Sequence, residues 1–231
     1  MNKIILYSFL FAMLQGVSQN VYHKVRKNLS YDKPANELYT IDSCYNAGYY
    51  KDSALFYKAM VNLKIGNSQS AKKNVKALVK LSPDFKELHY LNGLLYFSEQ
   101  NYGKCVDEFN LAVKDNPKNV KVYYNRSIAL GLMDEYLAAI EDLNTCIELN
   151  PAYTLALYSR AYWYEYTGNY EESTKDYEST IKLDPKNYDA YLGLAYVCQT
   201  QKKTDKACEA INQAIKEGSQ IAMELKEIFC K

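Results

Sequence analysis

The sequence predicts an all-α protein, a solenoid of antiparallel helix pairs with a capping helix at its C-terminal end. Three observations lead to this fold class. Prolines recur at a constant interval, at Pro83, Pro117, Pro151 and Pro185, and each ends a similar phrase. Two positions in every interval, or frame, hold small residues, and the chain has only nine glycines and five prolines. A period of about 34 residues indicates one repeating helical unit, and the scarcity of turn residues argues against a β-sandwich.

The N-terminal segment 1–18 has the pattern of a cleavable export signal. Lys3 precedes an uncharged run, Ile4–Leu14, and small residues follow at Gly16 and Ser18. Such a run covers about half of a bilayer, which argues against the alternative of a membrane anchor. We therefore expect cleavage after Ser18, a periplasmic or extracellular protein, and no integral membrane segment in the mature chain.

Residues 19–51 are expected to form a lead-in segment with room for an N-terminal half-repeat. A helix is predicted over about 35–47, because Leu38, Ile41 and Tyr45 would share one face. Five 34-residue frames then cover 52–221. First helices are predicted in windows such as 86–99, 120–133, 154–167 and 188–201, and second helices over 68–81, 102–115, 136–149, 170–183 and 204–217.

Small residues mark where the two helices of a pair should approach closely. The eighth and the twentieth position of each frame hold Ala59, Gly93, Ser127, Ala161, Ala195, Ala71, Cys105, Ala139, Ser173 and Ala207. The fifth frame has Ser219 where the next proline would fall, and residues 219–231 are predicted to form the capping helix that a solenoid needs at its end.

Several phrases resemble the tetratricopeptide repeat family. They are Tyr124-Asn125-Arg126-Ser127, Gly168-Asn169-Tyr170 and the repeated Leu-Asp/Asn-Pro endings, and the resemblance covers residues 52–221. It implies a right-handed superhelix that binds a protein or peptide on the concave face of its first helices, without catalysis. The chain ending around Ala207-Cys208-Glu209, Gly218 and Cys230 also resembles exported repeat proteins of Bacteroidetes-type bacteria.

The resemblance places a tyrosine-rich row in the concave groove. Tyrosine suits peptide recognition, because it combines a large apolar area with a hydroxyl and few rotatable bonds. The alternatives are that these rings pack between repeats, or that they bind a glycan or a small molecule. Frame position nine is expected to be partly buried, which affects Tyr162 and Tyr196. The predicted groove residues are Phe56, Tyr90, Phe97, Lys121, Tyr124, Asn125, Tyr158, Tyr162, Glu165 and Tyr196.

Six cysteines are present, and two of them are candidates for a disulfide. Cys208 and Cys230 lie ten and twelve residues from Gly218, so antiparallel helices meeting there would bring the two sulfurs to one level. Cys198 competes for Cys208, and free thiols are the remaining alternative. Cys105 and Cys146 are expected to be buried thiols.

Composition and motifs argue against several functions. Charges almost cancel, with 28 Lys and Arg against 27 Asp and Glu, so nucleic acid is not an expected partner. The sequence has no glycine-rich phosphate loop, no H-E-x-x-H and no C-x-x-C pair, so we expect no enzyme, no metal and no cofactor. Adjacent acids such as Glu141-Asp142 are interpreted as solvated helix faces.

Overall fold

Helices account for all regular structure in the described part of the chain. The structure is a computed structural model, and it describes Leu38, Ile41, Asp42, Tyr45, Asn46, Gly48 and residues 50–230. The export signal expected at 1–18 and most of the lead-in segment lie outside these residues. The helices are α1 (Lys51–Lys64), α2 (Ser68–Leu81), α3 (Leu88–Ser98), α4 (Tyr102–Asp115), α5 (Val120–Gly131), α6 (Tyr136–Leu149), α7 (Thr154–Tyr166), α8 (Tyr170–Leu183), α9 (Tyr188–Thr200), α10 (Thr204–Lys216) and α11 (Gln220–Phe229).

The chain divides into two units, Met1–Asn101 and Tyr102–Lys231. In the first unit α1, α2 and α3 pack on one another around Leu55, Leu78 and Leu91. In the second unit every helix from α5 to α11 packs on the one before it, and first helices also contact each other side by side, α5 with α7 and α7 with α9. The predicted helix windows and the all-α solenoid of helix pairs are confirmed.

Small residues permit the close approach of paired helices. All ten positions predicted from the frame are buried. Large side chains fill the space around them, and Phe109 and Tyr177 are almost completely enclosed. Burying a side chain of this size contributes about 1.5 to 3 kcal/mol, so the repeated pattern of small and large residues accounts for the pairing of the helices.

The turn after each first helix has a left-handed residue at the same frame position. These residues are Gly66, Gln100, Asp134, Gly168 and Lys202, with φ between 58° and 76°. Glycine adopts this conformation without steric cost, whereas a side chain with a Cβ is strained there. The chain therefore reverses direction at the same frame position in every repeat, and two of the five turns have glycine there.

The periodic prolines lie in the turns between repeats. Pro117, Pro151 and Pro185 each come three residues before the next helix, so they end one repeat without opening the next helix themselves. Ser219 takes the place of the fifth proline and begins α11, because its Oγ accepts a hydrogen bond of 3.3 Å from the backbone N–H of Ala222. The serine at this position is therefore the N-cap of the capping helix.

Two arginines tie neighbouring helices of the second unit together. Arg126 on α5 binds both carboxylate oxygens of Asp142 on α6, at 2.6 and 2.8 Å, and its third nitrogen donates to Asn110 on α4. Arg160 repeats this arrangement one frame later with Asp176 and Asn144. The interpretation of Glu141-Asp142 as a solvated pair is wrong for Asp142, whose side chain is 8% exposed, because the arginine of the preceding helix compensates its burial.

A disulfide joins the capping helix to the last repeat. Cys208 on α10 is bonded to Cys230 directly after α11, which is the first of the two pairings considered from the sequence. Cys198, the competitor, is a buried free thiol, as are Cys105 and Cys146. Burial raises the pKa of Cys105 and of Cys146 to about 12, so both remain protonated and unreactive near neutral pH.

Candidate functional site

An open cleft of about 380 Å³ lies at the C-terminal end of α7 in the second unit. We call it the tyrosine cleft, and its lining consists of Tyr162, Glu165, Tyr166, Tyr170 and Tyr196. Three of its rings are well exposed: Tyr162 is 37% exposed, Tyr166 56% and Tyr196 55%. The cleft therefore presents aromatic surface to solvent next to one carboxyl group.

Glu165 is held in place by a tyrosine of α8, the second helix of the same repeat. The hydroxyl of Tyr177 on α8 donates a hydrogen bond to Oε1 of Glu165. Gly193 on α9 makes this possible, because a Cβ there would lie 2.3 Å from the Tyr177 ring. Burial raises the pKa of Glu165 above its ordinary value, although the hydrogen bond from Tyr177 offsets part of the rise.

Tyr162 and Tyr166 form one wall of the cleft. Their hydroxyls are 3.0 Å apart, and their rings meet edge to face with centroids 5.1 Å apart. This hydrogen bond, together with burial, raises the pKa of Tyr162 to about 12. Both rings also contact Trp163, which packs into the space that Gly131 leaves on α5. The wall is therefore anchored in the core of the second unit.

Frame position nine lines the tyrosine cleft. Tyr162 and Tyr196, for which partial burial is expected, are 37% and 55% exposed. Position five is more enclosed: Tyr124 packs edge to face on Tyr153, and Tyr158 packs on Tyr177. Tyr124 and Tyr158 at position five do not line the cleft, whereas Tyr162 and Tyr196 at position nine do.

Two polar residues of the predicted groove lie on α5. Lys121 is exposed, and its backbone carbonyl accepts a hydrogen bond of 2.8 Å from the Asn125 amide. Neither residue lines the tyrosine cleft. Of the seven predicted residues in the second unit, the structure gathers Tyr162, Glu165 and Tyr196 around one cavity.

The three predicted residues of the first unit do not line this cleft. Phe56 packs on Phe85 with ring centroids 5.4 Å apart, and Tyr124 makes the equivalent contact with Tyr153 two frames later. Tyr90 is buried, with 9% of its surface exposed, and Phe97 is half-buried. Phe56 thus makes a packing contact of the kind that the sequence leaves open as an alternative.

Two residues of the cleft are not among the predicted groove residues. Tyr166 ends α7 and Tyr170 begins α8, so both lie beside the turn at Gly168. The prediction uses fixed positions inside first helices, so it places Tyr166 only beside the groove row and omits Tyr170, which lies on a second helix. The shortness of the turn is the signal that could have found Tyr170, because a short connection brings the last turn of one helix against the first turn of the next.

Neither a metal site nor a membrane span emerges from the described residues. Within residues 50–230 and the few described positions before them, His, Cys, Asp and Glu side chains form no group of three that could hold a metal ion. None of the helices in that same part of the chain combines the length and apolar character that crossing a bilayer requires.

Sequence comparison identifies the repeat in part of the chain. Family models described as tetratricopeptide repeat match residues 120–153 and 158–220. No curated protein matches the chain.

Structural comparison finds the same fold in several solved structures. MamA is 23% identical, with a TM-score of 0.63 over 70% of this chain and 95% of its own. YrrB, described as a TPR protein with an unusual peptide-binding site, is 18% identical, with a TM-score of 0.63 over 81% of this chain and 97% of its own. The first TPR of Spaghetti (RPAP3), bound to the HSP90 peptide SRMEEVD, is 26% identical, with a TM-score of 0.50 over 51% of this chain and 93% of its own.

Proposed function

We propose that the chain, which carries tetratricopeptide repeats at residues 120–153 and 158–220, is a non-catalytic scaffold that binds an extended segment of another protein. The segment docks along the first helices of the second unit and reaches the tyrosine cleft. The observation that carries this proposal is the exposure of Tyr162, Tyr166 and Tyr196 around one open cavity. Exposed aromatic rings held on rigid helices offer contact area at low entropic cost.

Two further observations support a peptide as the occupant. The first helices α5, α7 and α9 lie side by side, so they offer a continuous surface to a chain that crosses them. Solved structures with this fold include YrrB, described as having a peptide-binding site, and the RPAP3 domain, which holds a peptide.

Peptide display on the immobilised full chain tests the proposal. Selected clones should bind the wild-type protein and lose binding to a Tyr166→Ala/Tyr196→Ala variant, since both rings are more than half exposed and contribute to the cleft. The matched control is Leu137→Ala/Leu149→Ala, which removes two exposed side chains of the second helix α6. Clones that bind wild type and the tyrosine variant equally would contradict docking at the cleft.

A glycan or small molecule is the alternative occupant. In that case display would select no clone that depends on the tyrosines, whereas a soluble-glycan array would give hits that Tyr166→Ala/Tyr196→Ala abolishes. Both results together would replace the peptide proposal.

We also propose that the protein is exported, as the pattern at residues 1–18 predicts. The disulfide between Cys208 and Cys230 supports this proposal, because such bonds persist in oxidising compartments. Intact mass spectrometry of the protein from its native cells should find a chain that begins at Gln19, in the periplasmic or extracellular fraction. A chain that retains Met1 and is found only in the cytoplasmic fraction would contradict export.

A further inference from the structure

The tyrosine cleft combines aromatic rings with a carboxyl group. Four of its five lining residues are tyrosines, and Glu165 is its charged member. The faces of aromatic rings carry partial negative charge, so they attract cations, and a carboxylate does the same. Every group of the lining therefore favours a positively charged occupant or is indifferent to charge.

The carboxylate of Glu165 is oriented, and one of its two oxygens is available to a ligand. Its Oε1 accepts the hydrogen bond from Tyr177, while Oε2 accepts none from the described residues. Burial disfavours its charged form, which is why its pKa is raised. A cationic group that enters the cleft would compensate this half-buried charge.

A second carboxylate lies on the neighbouring first helix, outside the lining of the cleft. The pKa of Tyr158 is raised chiefly by burial, and the charges of Asp189 and Glu165 add to the rise. Asp189 is exposed on the first turn of α9, the helix that also carries Tyr196. Glu165 and Asp189 thus place negative charge on the adjacent first helices α7 and α9, which favours cations over acidic segments.

We propose that the tyrosine cleft receives a lysine or arginine side chain of the bound segment. This inference rests on the peptide-binding role proposed above and names the chemistry of its anchor. The alkyl part of the side chain lies against Tyr166 and Tyr196, and its charged end lies among the rings beside Oε2 of Glu165. An aspartate or glutamate side chain in the same place would bring a second carboxylate next to Glu165 and is therefore disfavoured.

Blocked peptides with one variable residue test this proposal. The probes are Ac-Ala-Leu-Xaa-Leu-Ala-NH2 with lysine, arginine, norleucine or glutamate at Xaa, titrated into the 15N-labelled full chain and followed by NMR. Norleucine has the alkyl chain of lysine without the ammonium group. The lysine and arginine peptides should shift the amides of α7 and α9, with a Kd about tenfold lower than that of the norleucine peptide, and the glutamate peptide should bind no better than norleucine.

Variants separate the contributions of the carboxylate and of the rings. Glu165→Gln should weaken binding of the lysine peptide while leaving that of the norleucine peptide unchanged, whereas Glu141→Gln, the same change at an exposed site on α6, should leave both unchanged. Tyr196→Phe should retain most of the affinity and Tyr196→Ala should lose it, because the ring face rather than the hydroxyl contacts the bound side chain.

The outcomes distinguish this inference from the proposed function. Equal affinity of the lysine and norleucine peptides, or an unchanged affinity in Glu165→Gln, would overturn the cation proposal and leave a peptide-binding cleft. Absence of binding by all four peptides would also overturn it. The scaffold itself is contradicted only when displayed peptides fail to depend on Tyr166 and Tyr196.

Discussion

Glu165 illustrates how one residue can serve binding at the expense of stability. It is half-buried, its pKa is raised by burial, and one of its oxygens is held by Tyr177. A carboxylate in such a place costs folding free energy when it is ionised, and a ligand cation would recover that cost. Replacing Glu165 by a neutral residue should therefore weaken ligand binding without destabilising the fold.

The variant Glu165→Gln tests this separation. Because the folded pKa lies above the unfolded one, the stabilising contribution of Glu165 is present below the unfolded pKa and is lost as the pH rises through the folded pKa. Urea midpoints of wild type and variant should therefore be close near pH 4, and the variant should have the higher midpoint near pH 7. The neighbouring Tyr162 and Tyr177 have raised pKa values and do not titrate in this range. A variant that is less stable at both pH values would show that the carboxylate stabilises the fold.

Lys202 has a backbone conformation that suits glycine. Its φ is 60°, and the equivalent residue one repeat earlier is Gly168 with φ 75°. Lys202→Gly should increase the free energy of unfolding by about 1 kcal/mol, and Gly168→Ala should decrease it by a similar amount, because left-handed backbone is costly for residues with a Cβ.

Urea unfolding of these variants needs a helical glycine as control. Gly103→Ala makes the same chemical change within α4, where the added methyl meets nothing within 4 Å, and it should not lower stability. A loss in Gly103→Ala equal to that in Gly168→Ala would contradict the conformational explanation.

At the scale of the element, the helix pairs of the second unit are held in register by contacts that recur from one frame to the next. Arg126 and Arg160 make the same forked contact with Asp142 and Asp176. The aromatic pairs are less regular, since Tyr124 packs on a ring of the turn before the next first helix, whereas Tyr158 packs on Tyr177. Tyr177, the partner of Tyr158, also donates its hydroxyl hydrogen bond to Glu165. The repeat whose aromatic pair differs from that of the preceding repeat is therefore the one that carries the cleft.

Removing one of these two arginines should weaken the second unit. Arg160→Ala leaves Asp176, 8% exposed, without its partner, and should cost about 3 kcal/mol of unfolding free energy. Arg160→Lys keeps the charge but cannot bind both carboxylate oxygens and Asn144 at once, so its loss should be intermediate. Urea unfolding followed by circular dichroism measures both. Equal stability of the alanine and lysine variants would show that the positive charge at this position contributes nothing.

Gly193 connects helix packing to the cleft. Gly193→Ala would place a methyl 2.3 Å from the Tyr177 ring, so the ring must move and withdraw its hydroxyl from Glu165. We expect a loss of about 1 to 3 kcal/mol in stability together with NMR shifts at Glu165. A variant with unchanged stability and unchanged Glu165 resonances would contradict the contact.

At the scale of the whole molecule, the helices could be predicted from the sequence because local signals repeat. Gly66 and Gly168, the periodic prolines and the small residues such as Ala161 each act within a few residues, so their spacing alone locates helices and turns. The cleft was harder to predict. Whether Tyr90 is buried and Tyr196 exposed, or whether Asp142 meets an arginine, depends on side chains that are distant in sequence and on their rotamers.

The disulfide stabilises the C-terminal end of the second unit. Cys208 and Cys230 are 22 residues apart, and the bond adds to the packing of α11 through Ala222, Leu225 and Phe229. Cys230→Ser, or reduction, should lower the unfolding free energy by about 2 to 4 kcal/mol. Hydrogen exchange should show the loss in α11 and α10 first, whereas a buried thiol control, Cys146→Ser, should destabilise α6 instead. An unchanged exchange pattern in reducing buffer would contradict this role.

The most direct test of the central proposal is a crystal structure of the full chain with the tightest displayed peptide. We predict that the peptide crosses α7 and α9 and places a lysine or arginine side chain among Tyr162, Tyr166 and Tyr196, with its charged end beside Glu165. A peptide seated on the second helices with an empty tyrosine cleft would contradict the account.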